Sequence, residues 1–137
     1  MEIFAVIDTN VIVSAMLSKN SDSSVIKVLN AVLSKRIVPM YNPEILSEYR
    51  EVLARKKFRL PPLLVSSVID QIEKQGVSSE RICSNEYFPD SYDRVFYEVA
   101  LSKGDAYLVT GNARHFPKTR VVVSPSEMLD ILENSHR

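Results

Sequence analysis

Along the chain, short apolar runs alternate with segments in which apolar residues return every three to four positions. The runs predict strands buried on both faces, and the 3.6-residue period predicts helices with one inward stripe. The first run, Ile3 to Ile7, stops at Asp8-Thr9-Asn10, and a short helix follows over Val11 to Leu17. After the polar loop Ser18–Asp22, Asp22 or Ser23 caps a helix with Val25, Ile26, Leu29, Val32 and Leu33 on one face. Arg36-Ile37-Val38-Pro39-Met40 reads as a second strand. Asn42-Pro43-Glu44 opens the next helix with a cap residue, a proline at the first position and an acid in the first turn. That helix buries Ile45, Leu46, Tyr49, Val52 and Leu53, runs into Arg55–Arg59 and ends at Pro61-Pro62. Leu64, Val65, Val68, Ile69 and Ile72 mark a further helix, closed by Gly76.

Val77 and Ile82 suggest a short strand, and Tyr92, Val95, Phe96 and Val99 a helix that stops near Gly104. Ala106–Val109 and Arg120–Val123 read as strands. Ser124-Pro125-Ser126-Glu127 is a capping box that opens a last helix carrying Met128, Leu129, Ile131 and Leu132. Strands alternating with amphipathic helices predict an α/β fold: a parallel sheet covered on both faces, in a three-layer α/β/α sandwich with right-handed crossovers.

Composition narrows this picture only a little. The 137 residues suit one domain spanning 1–137, and 45% apolar with 25% charged residues is an ordinary soluble profile. No apolar run approaches the ~18 residues of a membrane span and no basic leader opens the chain, so a cytoplasmic protein without membrane contact is expected. Cys83 is the single cysteine, which excludes an intramolecular disulfide and a Cys-based zinc site, and it reads as buried filler. Lys and Arg together number 17, as do Asp and Glu, so the chain presents no global field attracting nucleic acid.

Candidate chemistry comes from acids in unusual places. Asp8 would stand at the carboxyl end of a buried strand, where ligands collect in open α/β sheets. It is either a ligand or general base, or a helix cap. Glu48 lies three residues after Ile45 and four before Val52, on or beside an apolar stripe, and either faces inward or escapes along the stripe's edge. Asp90 and Asp93 flank the start of the Tyr92 helix, where both also suit the positive end of the helix dipole. Thr110-Gly111-Asn112 ends a second strand on the same sheet edge as Asp8, with Asn112 a ligand, a turn residue or a cap. Carboxylates converging on one cleft repel one another unless a cation joins them. A hard divalent ion resolves that conflict, and Mg²⁺ or Mn²⁺ suits oxygen donors and leaves positions open for phosphate. The matching chemistry is phosphodiester hydrolysis. It requires the carboxyls of Asp8, Glu48 and Asp93 to lie within reach of one ion, with Thr9 and Asn10 taking over the capping role.

Taken together, these motifs resemble those of PIN-domain ribonucleases. Val6-Ile7-Asp8-Thr9-Asn10-Val11 is similar to the family's opening motif, and Glu48 within Glu44–Tyr49 to its second acid. Asp90-Ser91-Tyr92-Asp93 is similar to the third motif, and Leu108–Pro117 to the fourth as written in the subgroup of toxins from toxin–antitoxin pairs. The resemblance implies a Mg²⁺- or Mn²⁺-dependent ribonuclease, often a homodimer, held inactive by a small antitoxin protein. It implies Asp8, Glu48 and Asp93 as catalytic metal ligands and Asn10, Asp90, Thr110 and Asn112 as supporting groups. Many members carry aspartate where this chain has Asn112, which supplies no charge and weakens the case for a second ion. The basic run Arg55–Arg59 either follows an RNA backbone or stabilises a helix end. His115 reads as structural rather than as a general acid.

Two rivals remain. A haloacid-dehalogenase-type phosphotransferase needs an aspartate where Asn10 stands, which disfavours it. A degenerate module that binds RNA or protein without cleaving has Asn112 in its favour and Asp8, Glu48 and Asp93 against it.

Overall fold

The computed structural model describes residues 2–135. Five parallel strands run through it: β1 (Ile3–Ile7), β2 (Ile37–Tyr41), β3 (Val77–Ser78), β4 (Tyr107–Val109) and β5 (Val122–Val123). Six α-helices accompany them: α1 (Thr9–Leu17), α2 (Ser24–Leu33), α3 (Pro43–Leu53), α4 (Pro62–Gln75), α5 (Arg94–Ala100) and α6 (Pro125–Asn134). The sheet order is β3-β2-β1-β4-β5. Chain direction across the sheet therefore reverses at β1. With right-handed crossovers, the β1-to-β2 and β2-to-β3 connections lie on the face opposite the β3-to-β4 connection. The expected α/β/α sandwich with an all-parallel sheet is observed.

The central strand explains itself. Ala5, Val6 and Ile7 are at most 2% exposed, as a strand flanked by strands and covered by helices requires. Ile7 pairs with Val109 in register, and Ile3 with Ile37. Tyr49 from α3 and Phe96 from α5 meet with ring centroids 6.4 Å apart, joining two helices over the core. Capping follows the predicted chemistry: Ser23 accepts from Ile26 N, Asn42 from Ile45 N, and Ser124 and Glu127 complete a reciprocal box.

Several boundaries differ from expectation. α3 stops at Leu53 rather than running to the prolines, and Lys56–Phe58 forms a separate 3₁₀ turn. The basic run thus lies beyond the helix end; Arg55 pairs with Glu51 at 3.0 Å, and Arg59 takes a left-handed φ of 53°. Pro62 opens α4 instead of ending α3, since a first-turn N–H has no intrahelical partner to lose. Leu64 is exposed, because the buried stripe of α4 is Val65, Val68, Ile69 and Ile72. Ile82 joins no strand. Tyr92 sits in the 3₁₀ turn Ser91–Asp93 ahead of α5, out of phase with Val95, Phe96 and Val99, and is 76% exposed. Cys83 is exposed, not buried.

Gly76 does close α4, but for a reason other than a left-handed cap. Its φ is −99°, a conformation open to other residues. A Cβ there would lie 2.3 Å from the Pro39 carbonyl oxygen and 2.8 Å from that of Ile72. Glycine lets the end of α4 lie directly on β2. Gly76→Ala is expected to cost about 1–3 kcal/mol by overpacking. Urea unfolding would show this as a lower midpoint at unchanged m-value, and an unmoved midpoint would contradict the contact.

Candidate active site

In open parallel sheets the crevice for ligands opens where strand order reverses, outside the carboxyl ends of the strands. Here that place lies between β1 and β4, and Asp8 and Thr110 are the residues immediately following those two strands. Both are buried, Asp8 at 5% exposure and Thr110 at 0%. Thr110 Oγ1 donates to Asp8 Oδ2 at 2.8 Å, while the Asp8 backbone N–H donates to the Val109 carbonyl at 2.9 Å. One residue further on, the Gly111 N–H donates to Asn10 Oδ1 at 3.2 Å, and the Asn112 N–H donates to Thr110 Oγ1 at 3.0 Å. The two strand ends are thus laced across the crevice by Asp8, Asn10 and Thr110. The Asn112 side chain is exposed.

Asp8 occupies the N-cap position of α1, yet its carboxylate makes no capping bond. Thr9 and Asn10 do not inherit that role either. Thr9 donates its hydroxyl to Glu48 Oε2 on α3, and Asn10 is engaged by Gly111. Tyr49, next to Glu48, donates its hydroxyl to the carbonyl of Ile7, directly behind Asp8. Packing of α3 against the end of β1 therefore brings partly buried Glu48 inward, as its place on the apolar stripe suggested.

The third carboxylate arrives on the approach to α5. Asp90 accepts from the Tyr92 N–H at 2.9 Å and so caps the 3₁₀ turn that ends in Asp93. His115 Nδ1 stands 3.8 Å from Asp93 Oδ2, with the imidazole 42% exposed. His115 thus stands beside Asp93 at the rim of the cleft.

The acids feel one another. Burial, with further push from Asp93 and Glu48, raises Asp8 to about 7 against the opposing Thr110 hydrogen bond and Thr9 backbone bond. Asp93 rises to about 6, chiefly by burial, then through Asp90 and Glu48, with His115 acting the other way. Burial drives the Tyr49 hydroxyl well above its ordinary value, and Asp8 and Glu48 add to that. Neighbouring negative charge and low polarity both disfavour the ionised carboxylate.

Yet among the described residues no three His, Cys, Asp or Glu side chains form a ready metal cage. Each acid instead has its own partner: Asp8 bonds to Thr110, Glu48 to Thr9, and Asp93 faces His115. The donor set nonetheless fits a hard divalent ion. It is all carboxylate and neutral oxygen, and burial, with neighbouring acids adding to it, raises Asp8 and Asp93, a cost of ionisation that a cation relieves.

The model of the PIN domain matches residues 5–114, from the first strand through the turn after β4. The chain belongs to the PIN domain family. Members of this family are typically metal-dependent nucleases. No curated protein and no solved structure matches the chain. The matched span of the PIN domain contains Asp8, Glu48, Asp90 and Asp93. No helix among the described residues is long and apolar enough to cross a membrane.

Three residues of this PIN domain escaped sequence reasoning. Thr9 looked like a cap and Tyr49 like core. Glu98 lies three residues after Val95, by the same spacing that singled out Glu48, and is 5% exposed.

Proposed function

We propose that this PIN domain is a Mg²⁺- or Mn²⁺-dependent ribonuclease in which Asp8, Glu48 and Asp93 hold the ion. The observation that carries the proposal is Asp8, a buried carboxyl at the strand-order reversal whose ionisation Asp93 and Glu48 oppose. When bound, a divalent ion supplies activation of water and stabilisation of the leaving oxygen. The chain's part is to orient its donors. Thr110 fixes the Asp8 carboxylate by one oxygen, Thr9 steers Glu48, and Asp90 holds the turn that presents Asp93. Asn10 secures the Gly111 backbone, and Asn112, exposed at the rim, supplies a neutral carbonyl toward water or phosphate.

On the same reading the chain is a single-domain cytoplasmic toxin, acts as a homodimer and is silenced by an antitoxin protein. Support for this comes from the likeness of Leu108–Pro117 to that subgroup's fourth motif. The second reading, a PIN module that binds without cleaving, is favoured by the separate anchoring of the three acids and by Asn112. Purified protein is expected to cleave RNA with added Mn²⁺ or Mg²⁺ and to stop on addition of EDTA. RNA left intact with either ion, together with no heat of ion binding by calorimetry, would decide for the second reading.

A further inference from the structure

Residues 79–90, which lead to Asp93, form no helix or strand, so their conformation must come from side chains. One buried carboxylate organises them. Glu98 on α5 accepts at Oε1 from Arg81 Nε (2.8 Å), with Arg81 Nη2 in ion-pair contact at 2.7 Å, and at Oε2 from the Ser84 N–H (2.8 Å). Its backbone carbonyl accepts from the Ile82 N–H at 3.0 Å. Arg94 lies 3.8 Å from the second Glu98 oxygen and donates to the carbonyls of Ser84 (2.6 Å) and Glu86 (2.8 Å). Its guanidinium also covers the ring of Phe88 at 4.6 Å, and Phe88 packs edge-on against Tyr97 and Phe116. The loop is therefore gripped at Arg81, Ile82, Ser84, Glu86 and Phe88 before it delivers Asp90.

Arg81 does more than neutralise Glu98. Its Nη1 reaches both oxygens of Glu44 at 3.1 Å, in the first turn of α3. Glu44 and Glu48 are one helical turn apart, and Glu98 sits on the helix that begins directly after Asp93. A single planar guanidinium thus joins the helix bearing Glu48 to the helix following Asp93. Arginine suits this because its rigid fork can bind two carboxylates at once, which a lysine ammonium does with far less directional control.

We propose that Arg81, bridging Glu44 and Glu98, is a positioning residue that sets Asp93 and its turn relative to Glu48, with Arg94 fixing the intervening loop. This rests on the reading of Glu48 and Asp93 as ligands, but its mechanical part is independent of any ion. Arg81 touches none of the acids it positions. Its removal alone would strand the buried Glu98 charge, so the informative variants are Glu44→Gln, which cuts only the exposed arm, and the double change Arg81→Met with Glu98→Gln, which removes both charges together.

Hydrogen exchange on ion-free protein reads the mechanical claim. In the double variant the amides of Ser84, Tyr92 and Asp93 should exchange about tenfold faster, the factor that 1.4 kcal/mol of lost protection gives. Unchanged exchange at Tyr92 and Asp93 would overturn the proposal even if Ser84 loosens. Calorimetry with Mn²⁺ reads the consequence. The double variant should bind about tenfold more weakly, near the lower end of what loss of groups supporting metal ligands costs. Glu44→Gln should weaken binding about two- to fivefold, the range of an exposed ion pair. Parent-like affinity in a double variant whose Tyr92 and Asp93 amides have loosened shows a clamp without influence on the site, and also overturns the proposal. A parent that binds no Mn²⁺ defeats the ligand reading instead, and the exchange result then decides the mechanical claim by itself.

Discussion

Asp8→Asn is expected to reduce ion-dependent RNA cleavage by about a thousandfold or more while leaving the fold intact. An ion at a phosphodiester contributes several kcal/mol of charge stabilisation, and each 1.36 kcal/mol is tenfold in rate. Asparagine keeps the volume and can still accept from Thr110, so neither a cavity nor an orphaned hydroxyl results. What disappears is the charge that would hold the ion. Asp93→Asn should behave alike, since its position is only partly buried and tolerates an amide. Cleavage assays with Mn²⁺ beside circular dichroism melts separate loss of chemistry from loss of structure. Parent-like cleavage by both variants would remove these residues from the catalytic assignment.

The ion-free protein should lose stability as pH rises from about 4 to about 7, with Asp8 the largest contributor. Both raised groups, Asp8 at about 7 and Asp93 at about 6, hold their protons more tightly folded than unfolded. Across that window the folded chain binds more protons, so raising pH favours unfolding. The contribution is complete below the ordinary value of 3.8 and gone above about 7. For buried Asp8 alone it amounts to roughly 4 kcal/mol by linkage. The useful measurement is the difference between the parent and Asp8→Asn across pH, which isolates this one group. Without ions the variant should be the more stable of the two above pH 7, and the gap should shrink toward pH 4. Saturating Mn²⁺ should close most of that gap, because an ion binding only the folded parent adds about 2.7 kcal/mol at a hundred times its dissociation constant. A parent that outlasts the variant at pH 8 without ions would contradict the repulsion described.

How much of this was legible beforehand depended on the kind of signal. β1, α3 and α6 follow from periodicity, and α2, α3 and α6 from caps whose chemistry acts over three or four residues, as Ser23, Asn42 and Ser124 show; the buried face of α2 is Val28, Ala31 and Val32, sharing only Val32 with the predicted stripe. The end of α3 was misjudged because a run of good helix formers, Arg55–Lys57, says nothing about the extended backbone at Arg55 that breaks the helix. Asp8 and Glu48 stood out as charges on apolar ground, which is a local anomaly. Thr110 was legible as a neighbour of Asp8 on one sheet edge, whereas Thr9 read only as a cap. Thr9 bonds to a residue 39 positions away and Thr110 to one 102 positions away, and only the completed sheet brings these together. Glu98 was readable by the Glu48 argument and was passed over, since nothing nearby in sequence hinted that Arg81 would meet it. The separate partners of the three acids were beyond any spacing rule, because they depend on which side chain, a threonine hydroxyl or the His115 ring, each carboxylate meets.

The two border strands, β3 and β5, contribute only two residues each. A neighbouring copy could add to such a border barely one rung of backbone hydrogen bonds, too little to hold a continuous sheet across two molecules. Any pairing of this chain with itself must therefore be built from side chains on helices and loops. Its strength would then be set by surface complementarity and remain open to tuning by single substitutions, and the border strands themselves offer little purchase for runaway fibril growth.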